Sequence, residues 1–209
     1  GVDISQAEAA ILTHGHYDHG GGLGAFYGAN QRAKVYIRRE AFAPHYRADG
    51  GYIGLDPVHI WPSRIYWTAD ETRLWPGAYL CTCNGRPMAY GGATEGMYTQ
   101  IGRERQPDDF SHEQYLVLEE GGRRVVFSGC SHKGVCNIAA WLRPDVLIGG
   151  FHLREDADPA LVEQVGRRLL ALGGIYYTCH CTSQGAYARL KDIMGEKLRR
   201  LRAGDVAEI

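Results

Sequence analysis

The segment Thr13-His14-Gly15-His16-Tyr17-Asp18-His19-Gly20-Gly21-Gly22 constrains this chain more than any other. Three imidazoles and one carboxylate fall within six positions, and the glycines around them allow tight backbone paths close to a bound ion. Ile11-Leu12-Thr13 reads as the end of a buried strand and a helix is expected near Gly20, so the His/Asp run lies on the loop between them. On such a loop His14 and His16 point one way while Asp18 and His19 point another, which suits two adjacent metal ions better than one. Imidazole nitrogen and carboxylate oxygen are ordinary zinc donors, and a catalytic site keeps a position open for water or hydroxide. A solvent-exposed polar turn would not need so many ligand-type side chains behind an apolar strand.

The run His14-x-His16-x-Asp18-His19 resembles the His-x-His-x-Asp-His motif of the metallo-β-lactamase superfamily. Three further segments, Ser128 to Gly134, Ile148 to Leu153 and Cys179 to Thr182, make the chain similar to one branch of it. That branch comprises the metal-dependent hydrolases grouped with the dihydropterin-ribofuranosylaminobenzene 5′-phosphate synthase-like proteins. The resemblance spans almost the whole chain. It implies an α/β fold, the four-layer αββα metallo-β-lactamase sandwich, as a single domain over residues 1–209. Only thirteen residues precede His14, so the sandwich is expected without its usual first N-terminal strands, and Gly1 reads as a trimmed or processed start.

A chain of 209 residues is long enough for one substantial core. Gly at 28 positions favours a turn-rich α/β fold over a helical bundle. No run of about 18 apolar residues suggests a membrane span, and no basic segment followed by an apolar stretch suggests a secretory leader. The net charge of −1 argues against a surface that tracks a nucleic-acid backbone. Arg38-Arg39, Arg123-Arg124, Arg167-Arg168 and Arg199-Arg200 are scattered, which leaves room for a local anion site. The expected partner is a small-molecule substrate, with no nucleic acid and no membrane, and with homo-oligomer formation left open. Cys81, Cys83, Cys130, Cys136, Cys179 and Cys181 are expected as reduced thiols in a cytoplasmic protein. The Cys-x-Cys pairs lack the Cys-x-x-Cys spacing of a zinc knuckle.

Strands are expected at Ala9 to Thr13 and, beside it, Val35 to Ile37, with a short helix from Gly22 to Tyr27 between them. Residues 38–62 lose any period and read as a lid or surface excursion, with His45 and His59 as ordinary loop histidines. Strands at Arg64 to Thr68 and Tyr79 to Thr82 flank the Trp75-Pro76-Gly77 turn. The Gly- and Pro-punctuated stretch 84–110 reads as irregular. Tyr115 to Glu119 and Arg124 to Phe127, joined by Gly121-Gly122, form the clearest hairpin, which delivers Cys130, Ser131 and His132. A helix from Val135 to Leu142 follows, then a strand from Asp145 to Gly149 leading to His152. Asp158-Pro159 caps and opens a helix ending at Leu172. A strand at Ile175 to Thr178 leads to His180, then come a helix from Ser183 to Met194 and a terminal strand near Val206. Strand, ligand-bearing loop and helix recur along the chain, as in an α/β sheet with its site at strand ends.

Two four-coordinate metals need about eight donors. The resemblance implies His14, His16 and His132 around one ion and Asp18, His19 and His180 around the other. Cys130 stands where many relatives have Asp, so it is either a thiolate ligand or a small core residue. His112 is the second choice for a third-motif histidine. His152 reads either as a substrate or proton-transfer group or as a supporting imidazole. The expected cofactors are two divalent ions, zinc first, with iron or manganese compatible with the same donors. The expected activity is hydrolysis by a bridging hydroxide, with Asp18 orienting it and His152 protonating the leaving group. A pterin-type transferase releasing diphosphate and a metal-binding non-catalytic domain are the alternatives.

Overall fold

The computed structural model describes residues 2–92 and 96–209. Part of the 84–110 stretch, residues 93–95, and the reading of Gly1 as a trimmed start lie outside the described residues. Along the chain the elements are β1 (Ala9–Ile11), α1 (Tyr17–Gly20), α2 (Leu23–Ala29), β2 (Lys34–Ile37), β3 (His45–Arg47) and β4 (Ile65–Trp67). Then follow β5 (Glu71–Trp75), β6 (Ala78–Cys81), β7 (Met97–Ile101), β8 (Glu104–Pro107), β9 (Tyr115–Glu120) and β10 (Arg123–Phe127). The last six are α3 (Val135–Leu142), β11 (Val146–Gly149), α4 (Pro159–Leu172), β12 (Ile175–Thr178), α5 (Gln184–Met194) and β13 (Leu198–Arg200). They fall into two compact units, the first made of Gly1–Thr72, Leu80–Asn84 and Thr94–Gln114, the second of Arg73–Tyr79, Gly85–Ala93 and Tyr115–Ile209.

In the first unit β1, β2 and β4 form a parallel sheet, with Ala10 opposite Val35 and Val35 opposite Ile65. Val35 and Ile37 turn one face of β2 into a core with Leu12, Leu23, Tyr27, Ala41, Leu55 and Ile65. Polar groups close the ends of this sheet. Buried Gln114 donates to the carbonyls of Leu12 and Tyr36 and accepts from the Thr68 hydroxyl, which ties the strand end before the histidine motif to its neighbours. Asn30 donates to Ala7 O and accepts from the backbone N–H of Ala33. These bonds satisfy groups that would be costly to bury alone. A second small sheet, ordered β3-β7-β8, is antiparallel.

The second unit is built on a seven-stranded sheet, ordered β13-β12-β11-β10-β9-β6-β5. The β9–β10 hairpin turns through Gly121 and Gly122, both at positive φ, as the two glycines require. From β10 to β13 the pairing is parallel, and α3, α4 and α5 connect successive strands. Helix α4 starts where its sequence says: Asp158 accepts from Ala160 N–H, Pro159 occupies the first turn, and Gly173 ends it at positive φ. Ser183 caps α5 through Ala186 N–H.

Three expectations on secondary structure are corrected. The terminal strand is β13 at Leu198–Arg200, where buried Leu198 pairs opposite Tyr176, while Val206 is 94% exposed. A single apolar residue among arginines carries almost no strand signal, and parallel pairing with β12 decides it. The irregular stretches contain β3, β7 and β8, short strands created by pairing of β3 with β7, some fifty residues on, and of β7 with the adjacent β8. The turn at 75–77 also follows a strand of its own, β5.

Candidate metal site

The histidine motif belongs to the first unit. Thr13 Oγ1 lies 3.0 Å from His14 Nδ1, an orienting contact that leaves Nε2 as the other ring nitrogen. Gly15 packs so closely on Ala41 that the chain can pass there only without a side chain. His16 is the N-cap residue of α1, and Asp18 and His19 sit in that short helix rather than on a loop. The rings gather tightly: His14 and His16 centroids are 4.7 Å apart, and His14 and His19 centroids 4.1 Å. The two halves of the motif are therefore neighbours, His19 resting on His14, where opposed directions were expected. The helical turn at Tyr17 brings this about. His19 Nε2 is 3.6 Å from Asp18 Oδ2.

Sequence reasoning missed what backs this cluster. Asp108 is buried, with Oδ2 2.7 Å from His45 Nδ1 and 3.4 Å from His112 Nε2. His45 is thus no ordinary loop histidine: β3 carries it into the interior, where it is 1% exposed. The hydrogen bonds assign the tautomers. An ionised Asp108 only accepts, so His45 Nδ1 carries the proton. His112 Nδ1 accepts the Gly15 N–H at 2.9 Å, so its proton is on Nε2, facing Asp108. Donor atoms of His16, Asp108 and His112 lie within 4.8 Å of one another. Proximity makes these three a possible metal triad; His112 also braces Gly15 through Nδ1, while its buried Nε2, near Asp108, makes no hydrogen bond among the described residues. The Asp-x-x-x-His spacing of residues 108–112 was the available signal; nothing local linked it to His45.

Burial, the nearby His112 and His45 and, to a smaller degree, His19 hold the His16 imidazole down to about 3, with Asp108 opposing. Burial likewise lowers His112, against the nearby Asp108. Burial alone would raise Asp108, but its contacts with His112 and His45 outweigh that and hold its carboxyl far below the usual range. All three groups bind more protons when unfolded: the contribution of the two imidazoles is complete above about pH 6.5 and is lost as pH falls toward 3, while that of Asp108 is lost only below about pH 3.8. Metal-free protein is expected to lose on the order of a few kcal/mol of stability over that window. Urea midpoints at pH 7, 6 and 5 check this, and a midpoint flat down to pH 5 contradicts it.

The second unit carries the other candidates on three successive strand ends. After β10, Ser128 and Ser131 hydroxyls bond at 2.8 Å, Ser131 takes positive φ, and Cys130 and His132 are buried. After β11, His152 takes positive φ, its N–H 3.2 Å from Cys181 Sγ, and its ring centroid is 4.5 Å from that of His132. After β12 come Cys179, raised mainly by burial, and exposed His180, also at positive φ. Gly150 N–H to Gly129 O, Phe151 N–H to Thr182 Oγ1 and Cys181 Sγ to Cys130 O knit the three loops together. Cys130, His132, His152 and the His180 loop are thus joined within this unit. Left-handed backbone at Ser131, His152 and His180 is the strained geometry that functional loops often retain. No disulfide joins any of the six cysteines.

The donor set fits divalent metal: neutral imidazoles, a buried carboxylate, and His45 Nε2, buried with no hydrogen-bond partner among the described residues. A family model described as the metallo-β-lactamase superfamily matches residues 1–79. The solved structure of Tm1679, titled a metal-dependent hydrolase of the β-lactamase superfamily, is similar to 95% of this chain and 78% of its own, with 27% identity and a TM-score of 0.82. The metallo-β-lactamase fold protein YhfI from Bacillus subtilis shares the fold at 12% identity and a TM-score of 0.55, covering 98% of this chain and 78% of its own. Among curated proteins, the 7,8-dihydropterin-6-methyl-4-(β-D-ribofuranosyl)-aminobenzene-5′-phosphate synthase of Methanocaldococcus jannaschii is 24% identical over 98% of this chain and 76% of its own length. An uncharacterized protein of the same organism is 26% identical over 68% of this chain and 57% of its own length. Fold and site together define an α/β protein with histidine groups at strand ends that could hold metal ions. The match of residues 1–79 to the metallo-β-lactamase superfamily model and the likeness of the fold to Tm1679 along 95% of the chain point the same way.

Proposed function

We propose that the chain is a metal-dependent hydrolase with a dinuclear site. The observation that supports this most is the packing of the His16 and His19 rings on His14, at 4.7 and 4.1 Å, inside one motif. The proposed ligands are His14, His16, Asp18 and His19 of the first unit and Cys130, His132 and His180 of the second. Bound divalent ions supply Lewis acidity and a hydroxide at neutral pH. Around them Thr13 fixes the His14 ring, Asp18 orients the nucleophile, and His152 delivers a proton to the leaving group. Zinc leads as the ion, with iron or manganese served by the same donors. Phosphoesters and cyclic esters are the proposed substrates.

A second reading, a pterin-type transferase releasing diphosphate, draws on the 24% identity to a synthase along nearly the whole chain. There the same cations would steady the departing anion, with no attacking water.

Elemental analysis of protein purified without added metal tests the dinuclear reading. About two ions per chain are expected, lost in the double variant His14→Ala/His16→Ala. Well-folded protein with under about half an equivalent overturns it. Chelator-sensitive turnover of a phosphoester and lactone panel then separates hydrolase from transferase, for which pterin binding without esterase activity is the expected pattern.

A further inference from the structure

In the second unit a cavity of about 550 Å³ is lined by Cys179, His180, Gln184, Arg200, Leu201 and Arg202. Two arginines line it, and among the described residues no Asp or Glu does. Elsewhere Arg38 pairs with Glu40 and Asp70, Arg124 with Glu119, and Arg154 with Asp156. Arg200 is anchored by neutral groups instead. It donates to Gln184 Oε1 and to Thr182 O, and its guanidinium lies over the Tyr187 ring at 5.2 Å. Such anchoring fixes the planar fork in place without neutralising its charge. Asp205 accepts the Arg202 backbone N–H at 2.8 Å, but it borders the neighbouring hollows and not this one.

We propose that this cavity is the subsite for a phosphoryl group of the substrate, held by Arg200 and Arg202. The inference rests on the metalloenzyme reading above, because His180, a proposed ligand, lines the same cavity and so puts the anion beside the reacting centre. Guanidinium forks match phosphoryl oxygens in paired, charge-assisted hydrogen bonds. The volume falls in the range of small-molecule sites, room for a phosphoryl group and the carbon framework bearing it.

Isothermal titration of the full chain with inorganic phosphate tests this, with acetate as the carboxylate comparator. Saturable phosphate binding is expected, with acetate at least about tenfold weaker. Arg200→Gln/Arg202→Gln should weaken phosphate at least about tenfold with metal content unchanged. Arg202→Gln alone, at an exposed position that leaves the fold intact, should weaken it several-fold. No phosphate binding, equal acetate binding, or unchanged affinity in both arginine variants overturns the inference. So does an affinity that disappears only in His14→Ala/His16→Ala, which assigns the anion to the metals. Arginine-dependent phosphate binding in a protein devoid of metal would remove the metalloenzyme reading and leave the anion subsite standing.

Discussion

Gly15→Ala is expected to destabilise the protein by about 3 kcal/mol and to abolish metal retention. A Cβ at this position would lie 2.2 Å from Ala41 O and 2.7 Å from Ala41 Cα. Both atoms are backbone of fully buried Ala41, in a 3₁₀ turn where the Ala41 N–H bonds to Arg38 O, so neither can rotate aside. Relief must come from moving the motif itself. That movement would break the Gly15 N–H to His112 bond and displace His14 and His16 on either side. Gly22→Ala is the control, since nothing lies within 4 Å of its added methyl and its φ of −80° is ordinary. Urea unfolding with elemental analysis of both variants decides the matter. A Gly15→Ala protein within about 0.5 kcal/mol of wild type with full metal would show that the close approach to Ala41 does not matter.

Asp108→Ala is expected to cost about 3 kcal/mol or more. The side chain accepts from Phe110 N–H at 2.8 Å through one oxygen and meets His45 and His112 through the other. Removing it strands the Phe110 amide and the His45 Nδ1 proton in the interior, each an unsatisfied donor worth about 1–3 kcal/mol. It also releases Phe110, fully buried at a φ of 54°, from the turn that holds it there. Asp108→Asn keeps an acceptor for Phe110 and should lose less. Equal losses in the two variants would assign the effect to charge alone, and a loss below about 1 kcal/mol in Asp108→Ala would make the buried carboxylate dispensable.

How far the sequence could be read differs by region for a physical reason. Helices α3 and α4 and strand β12 have the boundaries expected from capping residues, Pro159, Gly173 and local apolar runs. Their signals are local, so the chain carries them openly. The same holds for the hairpin at Gly121-Gly122 and for the gathering of His14, His16, Asp18 and His19 in one motif. His45 and Asp108 were illegible because sixty-three residues separate them, and neither has a neighbour in sequence that announces the other. Residues 97–107 lacked any period because their strands are held by pairing with β3 and with each other, not by one buried face.

The sequence by itself determined the family's motif, the donor types and the alternation of strand, loop and helix, since composition and short-range spacing encode all three. Only the tertiary structure decided which nitrogen of each histidine is available, because a tautomer follows from the partner on the other side of the ring. The amide of Gly15 and the carboxylate of Asp108 turn His112 into a brace and His45 into a proton donor at Nδ1. Tertiary structure likewise decided that Arg200 and Arg202 line a cavity with no carboxylate among its described lining residues, since charge balance in a pocket is set by what folding brings around it and not by the order of residues along the chain.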